Sequence, residues 1–555
     1  MTGAQLIART LQGYGVSHVF FVEAILRKTL VELEALGVKR VSAHAEKAAV
    51  YMADGYARVS HRPGVVMSQS IGASNLAAGL KDSFLACSPV ISLTGRKPPL
   101  ARYRNAYQEI PHLSMFEAVT KYNVSCDDIQ QVPFLFSQAF REATCGTPGP
   151  VHIDLLGALG EVTDKSEAAL EPRCEEAFRQ YPPFRPAPEA ERVQAAARLI
   201  KEAQRPVIVA GGGVTASGAG PEVVALAEAL SLPVATSLNA KGCIPGNHPL
   251  SLGVVGSYSA WCANQVVHQA DLVLFVGSHT GDQVTNGWTI PALGTPVIQI
   301  DIEPTELGRS YPNAVALCGD AKVTLGLLIK ALAGAAKKEA WAAQARQTVA
   351  AWDAEIEPLC SSDAVPIKVE RLCRELTLHL PADAVLVVDT GWSGIWTGTM
   401  VYLNHPGQTY LRAAGSLGWA FPASLGAKCG APQRPVVCFT GDGAFYYHLG
   451  ELETAVRCGI NTVTVINNNS CFGQCQRGVH TAYGSQPGNP QEIYCFQPVD
   501  FAGLARNMGC LGIKVERPRD IAPALQEALA AQRPAVVEVI TDPASLAPDP
   551  WTPKN

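Results

Sequence analysis

Asp442 and Asn469 carry the clearest chemistry in this chain. Asp442 stands between Gly441 and Gly443, and Asn469 closes the run Asn467-Asn468-Asn469, 27 residues further on. An aspartate carboxylate, an asparagine amide oxygen and a main-chain carbonyl are hard oxygen ligands. With two phosphate oxygens and a water they would fill the octahedron that Mg2+ prefers. Glycines on both sides of an aspartate let main-chain N–H groups approach a phosphate closely. A Gly-Asp-Gly by itself is an ordinary turn. Its pairing with Asn469 at this spacing points to a metal-held phosphate.

Each of the two residues ends an apolar run. Residues 435–440 are bounded by Pro and Gly and rich in β-branched types, which reads as a buried strand. Residues 451–456 read as helix, and residues 462–466 as a second buried strand. Both candidate ligands then sit at the carboxyl ends of parallel strands, where open α/β sheets bind ligands. The same alternation of short apolar strands with helices runs through the rest of the chain. Strands are expected at 19–22, 64–67, 90–95 and 151–155, then at 206–210, 272–277 and 297–301, then at 384–389 and 535–540. This predicts an α/β protein of three doubly wound parallel-sheet domains, over residues 1–165, 188–335 and 366–545. A Glu/Pro-rich surface linker is expected at 163–188, and an Ala/Lys-rich helical stretch at 327–357. No internal repeat is visible. Gly211-Gly212-Gly213 resembles a dinucleotide-binding turn, but no acidic residue ends a strand about 20 residues on. A tight strand-to-helix turn accounts for it.

Composition excludes several classes. The 555 residues are 47% hydrophobic with a net charge of −5, which is ample for large cores and leaves no basic footprint for nucleic acid. No apolar run reaches membrane-spanning length. The chain starts directly with an amphipathic helix, with Ala4, Ile7, Ala8 and Leu11 on one face, and lacks a cationic leader. The 16 cysteines form no CxxC or CxxH cluster. Reduced core thiols in a cytoplasmic protein are expected.

Further motifs carry a resemblance. They are Glu46 within Ala45-Glu46-Lys47-Ala48-Ala49-Val50-Tyr51-Met52-Ala53-Asp54-Gly55-Tyr56-Ala57-Arg58, then Gly72-Ala73-Ser74-Asn75 and Gly415-Ser416-Leu417-Gly418. With the Asp442–Asn469 pair, they resemble the acetolactate synthase/pyruvate decarboxylase/benzaldehyde lyase group of thiamine diphosphate (ThDP) enzymes across nearly the whole chain. That resemblance implies a pyrimidine-binding, a middle and a diphosphate-binding domain. It places Asp442, Asn469 and Cys471 on Mg2+. It places Gly391, Trp392, Ser393, Gly415, Leu417, Gly441, Asp442, Gly443, Ala444, Asn469, Cys471, Phe472 and Gly473 around ThDP. Glu46 would be the carboxylate that binds the pyrimidine N1′ and promotes loss of the thiazolium C2 proton. Leu417 would be the apolar wedge that bends the cofactor. In such enzymes these two come from different subunits, so a homodimer is the minimum and a homotetramer is expected.

The substrate pocket departs from the group. Where members often carry Pro-Gly after the first strand, this chain has Val22-Glu23-Ala24-Ile25. Glu23 either sits by the substrate or is an exposed turn carboxylate. Near the substrate it would disfavour an anionic 2-keto acid unless protonated or paired. Residues 277–282 lack the arginines of flavin-carrying members, so FAD is not expected. The paired histidines of pyruvate decarboxylases are absent, and Gln108 matches a glutamine that acetolactate synthases place over the cofactor. His112, His279 and His448 lie near strand ends, as proton-transfer groups or as packing residues. The expected activity is a ThDP- and Mg2+-dependent lyase or carboligase acting beside a carbonyl. The alternatives are a hydrolase of cyclic diketones, suggested by residues 443–448, and a catalytically silent ThDP-binding subunit.

Overall fold

The computed structural model describes residues 1–554. Three six-stranded sheets follow one another along the chain. The first contains β1 (His18–Phe21), β2 (Lys39–Ser42), β3 (Gly64–Ser68), β4 (Val90–Arg96), β5 (Tyr122–Cys126) and β6 (Val151–Leu156). The second contains β7 (Pro206–Ala210), β8 (Val234–Thr236), β9 (Ser251–Val254), β10 (Leu272–Val276), β11 (Val297–Asp301) and β12 (Asn313–Cys318). The third contains β13 (Val385–Val388), β14 (Thr409–Arg412), β15 (Val436–Gly441), β16 (Val463–Asn468), β17 (Leu511–Val515) and β18 (Ala535–Ile540). The strand pairings are parallel in each sheet. Helices connect the strands and cover both faces, as parallel sheets require.

The strand orders are informative. The first sheet runs β2-β1-β3-β4-β6-β5 and the third β14-β13-β15-β16-β18-β17, which is the same connectivity. The second runs β12-β11-β10-β7-β8-β9 and differs. An internal repeat that the sequence does not display is therefore present in the topology. Each sheet has an interior point from which the connections run to opposite sides: between β1 and β3, between β7 and β10, and between β13 and β15. Crevices for ligands open there, outside the carboxyl ends of the strands.

The expected single helical stretch at 327–357 is two helices, Ala321–Ala331 and Glu339–Cys360. Gly334, at φ +75, turns the chain between them. The segment expected as a plain linker contains a short helix, Glu161–Lys165, and a 3-10 turn, Glu176–Arg179.

The first and third sheets share one core. Phe20, Tyr51, Val66 and Phe116 pack in a single buried cluster with Val387, Trp419, Phe445 and Ile466. The contact is made by two topologically equivalent helices, Glu46–Ser60 and Ala420–Gly430. A Cβ on Gly55 would lie 2.0 Å from the carbonyl oxygen of Ala423, and one on Gly426 would lie 1.7 Å from that of Met52. The helices thus touch main chain to main chain, and glycine is required at both points.

Gly426→Ala should force the helices apart at a cost of at least about 1–3 kcal/mol, the usual range for overpacking. The thermal unfolding midpoint should fall by several degrees. An unchanged midpoint would show that the crossing can yield.

Candidate active site

The turns after β13, β15 and β16 converge on one crevice. After β13, Gly391 takes φ +68, and a Cβ there would lie 2.8 Å from Gln474 Oε1. Ser393 Oγ is 3.8 Å from the place a Cβ of Gly441 would occupy. A Cβ on Gly443 would lie 2.5 Å from the Phe472 ring, and one on Gly473 would lie 2.8 Å from the Trp392 indole. Gly391, Trp392, Ser393, Gly441, Gly443, Phe472 and Gly473 therefore form one cluster, at the point where strand order reverses.

Asp442 starts a short helix, Asp442–Phe445, and is 2% exposed. Burial pushes its carboxyl up to about 7, against the pull of main-chain N–H groups including those of Gly443, Asn469 and Cys471. Asn469 turns its amide oxygen back to accept from the Cys471 N–H at 3.2 Å. The Cys471 thiol is pushed by burial up to about 12 and is neutral near pH 7. A hard cation here would take one carboxylate, one amide oxygen and main-chain oxygen rather than sulfur. No group of three or more His, Cys, Asp or Glu side chains suited to a metal occurs among the described residues.

Leu417 lies in a turn between β14 and the Ala420–Gly430 helix, with its side chain half-buried. Asp389, at the end of β13, accepts from the N–H groups of Thr390, Gly418 and Ala420 at 2.9, 3.0 and 2.9 Å. Asp82, from the Ala73–Leu85 helix of the first unit, accepts from those of Ala414, Gly415 and Ser416. Beside them Arg58 pairs with both oxygens of Asp54 at 2.9 Å and donates to the Arg412 carbonyl at 2.7 Å. Trp419 Nε1 donates to Asp54 at 2.9 Å. Sequence reasoning missed Asp54, Asp82 and Asp389 as functional groups. The available signal was an acidic residue on an otherwise apolar helix face or at a strand end.

In the first unit Glu46 opens the Glu46–Ser60 helix and is half-buried. Asn75 Nδ2 donates to its carboxylate at 3.0 Å. A Cβ on Gly72 would lie 2.5 Å from Glu46 Oε1, so glycine there leaves the carboxylate its place. Gln108 takes the left-handed conformation, φ +63, and its carbonyl accepts from Ser70 Oγ at 2.6 Å. Ser70 also meets His112 Nε2 at 3.4 Å, and His112 Nδ1 lies 3.0 Å from Asp154. His112 is thus a buried bracing residue beneath Gln108. Glu23 is exposed and ion-paired with Arg27 at 2.7 Å, which depresses its carboxyl. His448 is buried against the Tyr51 ring, and burial lowers it to about 4. His279 lies on a cavity of about 540 Å3 at the reversal point of the second sheet, with Gly211–213, Asp301 and Ala414.

Among the described residues no hydrogen bond or ion pair joins Glu46, Gln108 or Glu23 to Asp442, Asn469 or Leu417. The two groups of candidate residues thus lie on separate, topologically equivalent sheets of the chain.

Arg58→Met should leave Asp54 and Asp82 buried without their cation, at a cost of about 3–5 kcal/mol. Burial already raises the Asp82 carboxyl and Arg58 pulls it back, so the variant raises it further. A raised carboxyl stabilises the fold fully below its unfolded value, about 4, and that stability is lost as pH rises through the folded value. The gap in urea midpoint between wild type and variant should therefore widen from about pH 5 to about pH 8. An equal gap at both would remove the carboxylates from the account.

Three family descriptions match the chain: "Thiamine pyrophosphate enzyme, N-terminal TPP binding domain" over residues 1–115, "central domain" over 193–328 and "C-terminal TPP binding domain" over 389–539. Thiamine pyrophosphate is the same compound as ThDP. The chain is 33% identical to the probable acetolactate synthase large subunit of Methanocaldococcus jannaschii, over 99% of this chain and 93% of that one. It is 30% identical to the acetolactate synthase large subunit of Corynebacterium glutamicum, over 97% and 87%. It is 27% identical to the acetolactate synthase isozyme 3 large subunit of Escherichia coli, over 95% and 92%.

Proposed function

The chain belongs to the thiamine-diphosphate-dependent carboligases of the acetolactate synthase group, and from that premise we propose that it uses a 2-keto acid donor to make a C–C bond beside a carbonyl. The convergence of glycine turns on Asp442, at the reversal point of the third sheet, carries the reading. Those turns would offer main-chain N–H groups to a diphosphate, and the nearby oxygen donors suit Mg2+. The residues present fit the cofactor. When bound, it supplies a nucleophilic thiazolium carbon that attacks a carbonyl.

In this reading Asp442, Asn469 and the Cys471 carbonyl hold Mg2+, and Glu46, oriented by Asn75, holds a proton at the pyrimidine N1′. Leu417 would be the apolar support beneath the cofactor. Gln108, braced by Ser70 and His112, offers its amide to the substrate. Glu23 shares its charge with Arg27, so it presents little net charge to repel an anionic donor. The absence of arginine from residues 277–282 supports an enzyme without flavin. Two half-sites on one chain, with Ile71, Leu100, Tyr103 and Tyr107 exposed beside Glu46 and Gln108, support assembly from at least two copies. A homodimer then forms the complete site, and a homotetramer is a pair of such dimers. Among the described residues no helix is long and apolar enough to cross a membrane. A cytoplasmic location agrees with cysteines that are all free thiols.

The decisive experiment supplies ThDP and Mg2+ with a panel of 2-keto acids, acyloins and 1,2-diketones and identifies products. A condensed product from a 2-keto acid is expected. Turnover restricted to acyloins or diketones would overturn the donor class. Asp442→Ala should weaken Mg2+-dependent ThDP binding by at least about 10–10²-fold, the cost of losing a residue that merely supports a metal ligand. Glu46→Gln should bind ThDP normally yet slow C2 hydrogen–deuterium exchange of the bound cofactor by about 10²–10⁴-fold. Equal exchange rates in wild type and variant would remove Glu46 from its role.

A further inference from the structure

We propose that Asp82 is a positioning residue for the cofactor: it reaches from the first unit into the third and fixes the turn that presents Leu417. The proposal rests on the assignment of Leu417 as the wedge and extends it to the group that holds the wedge in place.

The Ala73–Leu85 helix buries Leu76, Ala77 and Leu80, and it also buries Asp82, which is 1% exposed. A carboxylate in such a position is costly unless hydrogen-bonded. Its Oδ1 accepts from Ala414 N–H at 2.8 Å, and its Oδ2 from Gly415 and Ser416 N–H at 3.2 and 2.8 Å. The nearest guanidinium, Arg58, is 3.8 Å away and is held by Asp54. The principal partners of Asp82 are therefore three consecutive main-chain donors of another unit.

The turn has little else to fix it on that side. Gly415 is exposed, and a Cβ there would meet nothing within 4 Å. Beyond Leu417, Asp389 takes the N–H groups of Gly418 and Ala420. Leu417 is thus suspended between two carboxylates that each hold its flanking main chain, while its own side chain is half-buried. Asn75, two turns earlier on the same helix, holds Glu46. One rigid element thus holds the activating carboxylate of one half-site and the wedge of the other.

The test compares Asp82→Asn, Asp82→Glu and Leu417→Ala with wild type. Amide hydrogen exchange at residues 414–416 is measured without cofactor, then ThDP affinity and C2 exchange of bound ThDP. Asparagine keeps the size but replaces one acceptor with a donor. Exchange of the 414–416 amides should accelerate by at least about tenfold in Asp82→Asn, as loss of a buried hydrogen bond implies. C2 exchange should slow by about 10–10²-fold, the scale of a small misplacement, with ThDP affinity within about twofold of wild type. Asp82→Glu keeps the charge, displaced by one methylene, and should fall between the two; it decides the matter if the asparagine variant does not fold. Unchanged amide exchange would overturn the proposal. So would slowed C2 exchange in Leu417→Ala with none in Asp82→Asn. If Leu417→Ala leaves C2 exchange intact, the wedge assignment fails, and the clamp stands or falls on amide exchange alone.

Discussion

The main-chain contact between the Glu46–Ser60 and Ala420–Gly430 helices is the constraint on which the rest depends. Helices normally pack with axes 8–10 Å apart because side chains separate them. Here glycine removes the side chain at both points of contact. The closeness lets Arg58 reach the Arg412 carbonyl and lets Trp419 reach Asp54. It also brings Asp82 within hydrogen-bond range of a turn more than 300 residues away in sequence. A looser crossing would strand Asp82 without its main-chain donors and take Trp419 from Asp54.

Those carboxylates show how the molecule uses buried charge. Asp389 and Asp82 are satisfied mainly by main-chain N–H groups and fix the shape of a turn. Asp442 is buried to a similar degree, with burial raising its carboxyl as it does that of Asp389. Its surroundings differ: glycines flank it, the Asn469 and Cys471 N–H groups act on it, and the Phe472 ring lies against Gly443. The same side chain thus fixes a turn at Asp82 and Asp389 and stands among glycine turns at Asp442.

What could be read in the sequence follows from where each element lies. The strands recognised, such as β3, β7, β10 and β15, are interior strands buried on both faces, and they appear as unbroken apolar runs. The strands missed are mostly the sheet edges, β2, β5, β9, β12, β14 and β17. Most of them mix buried with half-exposed residues, and several carry charges, as in Lys39-Arg40 of β2. The site divided in the same way. Asp442, Asn469 and Glu46 could be singled out as candidates because short spacing or a local motif marks them. Asp82 and Asp389 were not, because their partners are main-chain N–H groups, one set contributed by a distant segment. The partner of Glu23 was only four residues away, but which partner a surface carboxylate chooses depends on a loop conformation that sequence does not print.

The shared core has a consequence for how the protein is made. The Glu46–Ser60 helix leaves the ribosome with one apolar side unpaired, and the helix that covers it, Ala420–Gly430, is translated roughly 360 residues later. At about 5–20 residues per second, that interval is roughly 20–70 s. Throughout it the nascent first unit presents Tyr51, Met52 and the bare main chain at Gly55 to the cell. The intervening second sheet, whose core clusters contain no residue of the first unit, can fold while the first waits. Biogenesis of this enzyme is thus paced by the emergence of its third unit, and a chain truncated before residue 420 would be a client for chaperones rather than a smaller stable protein.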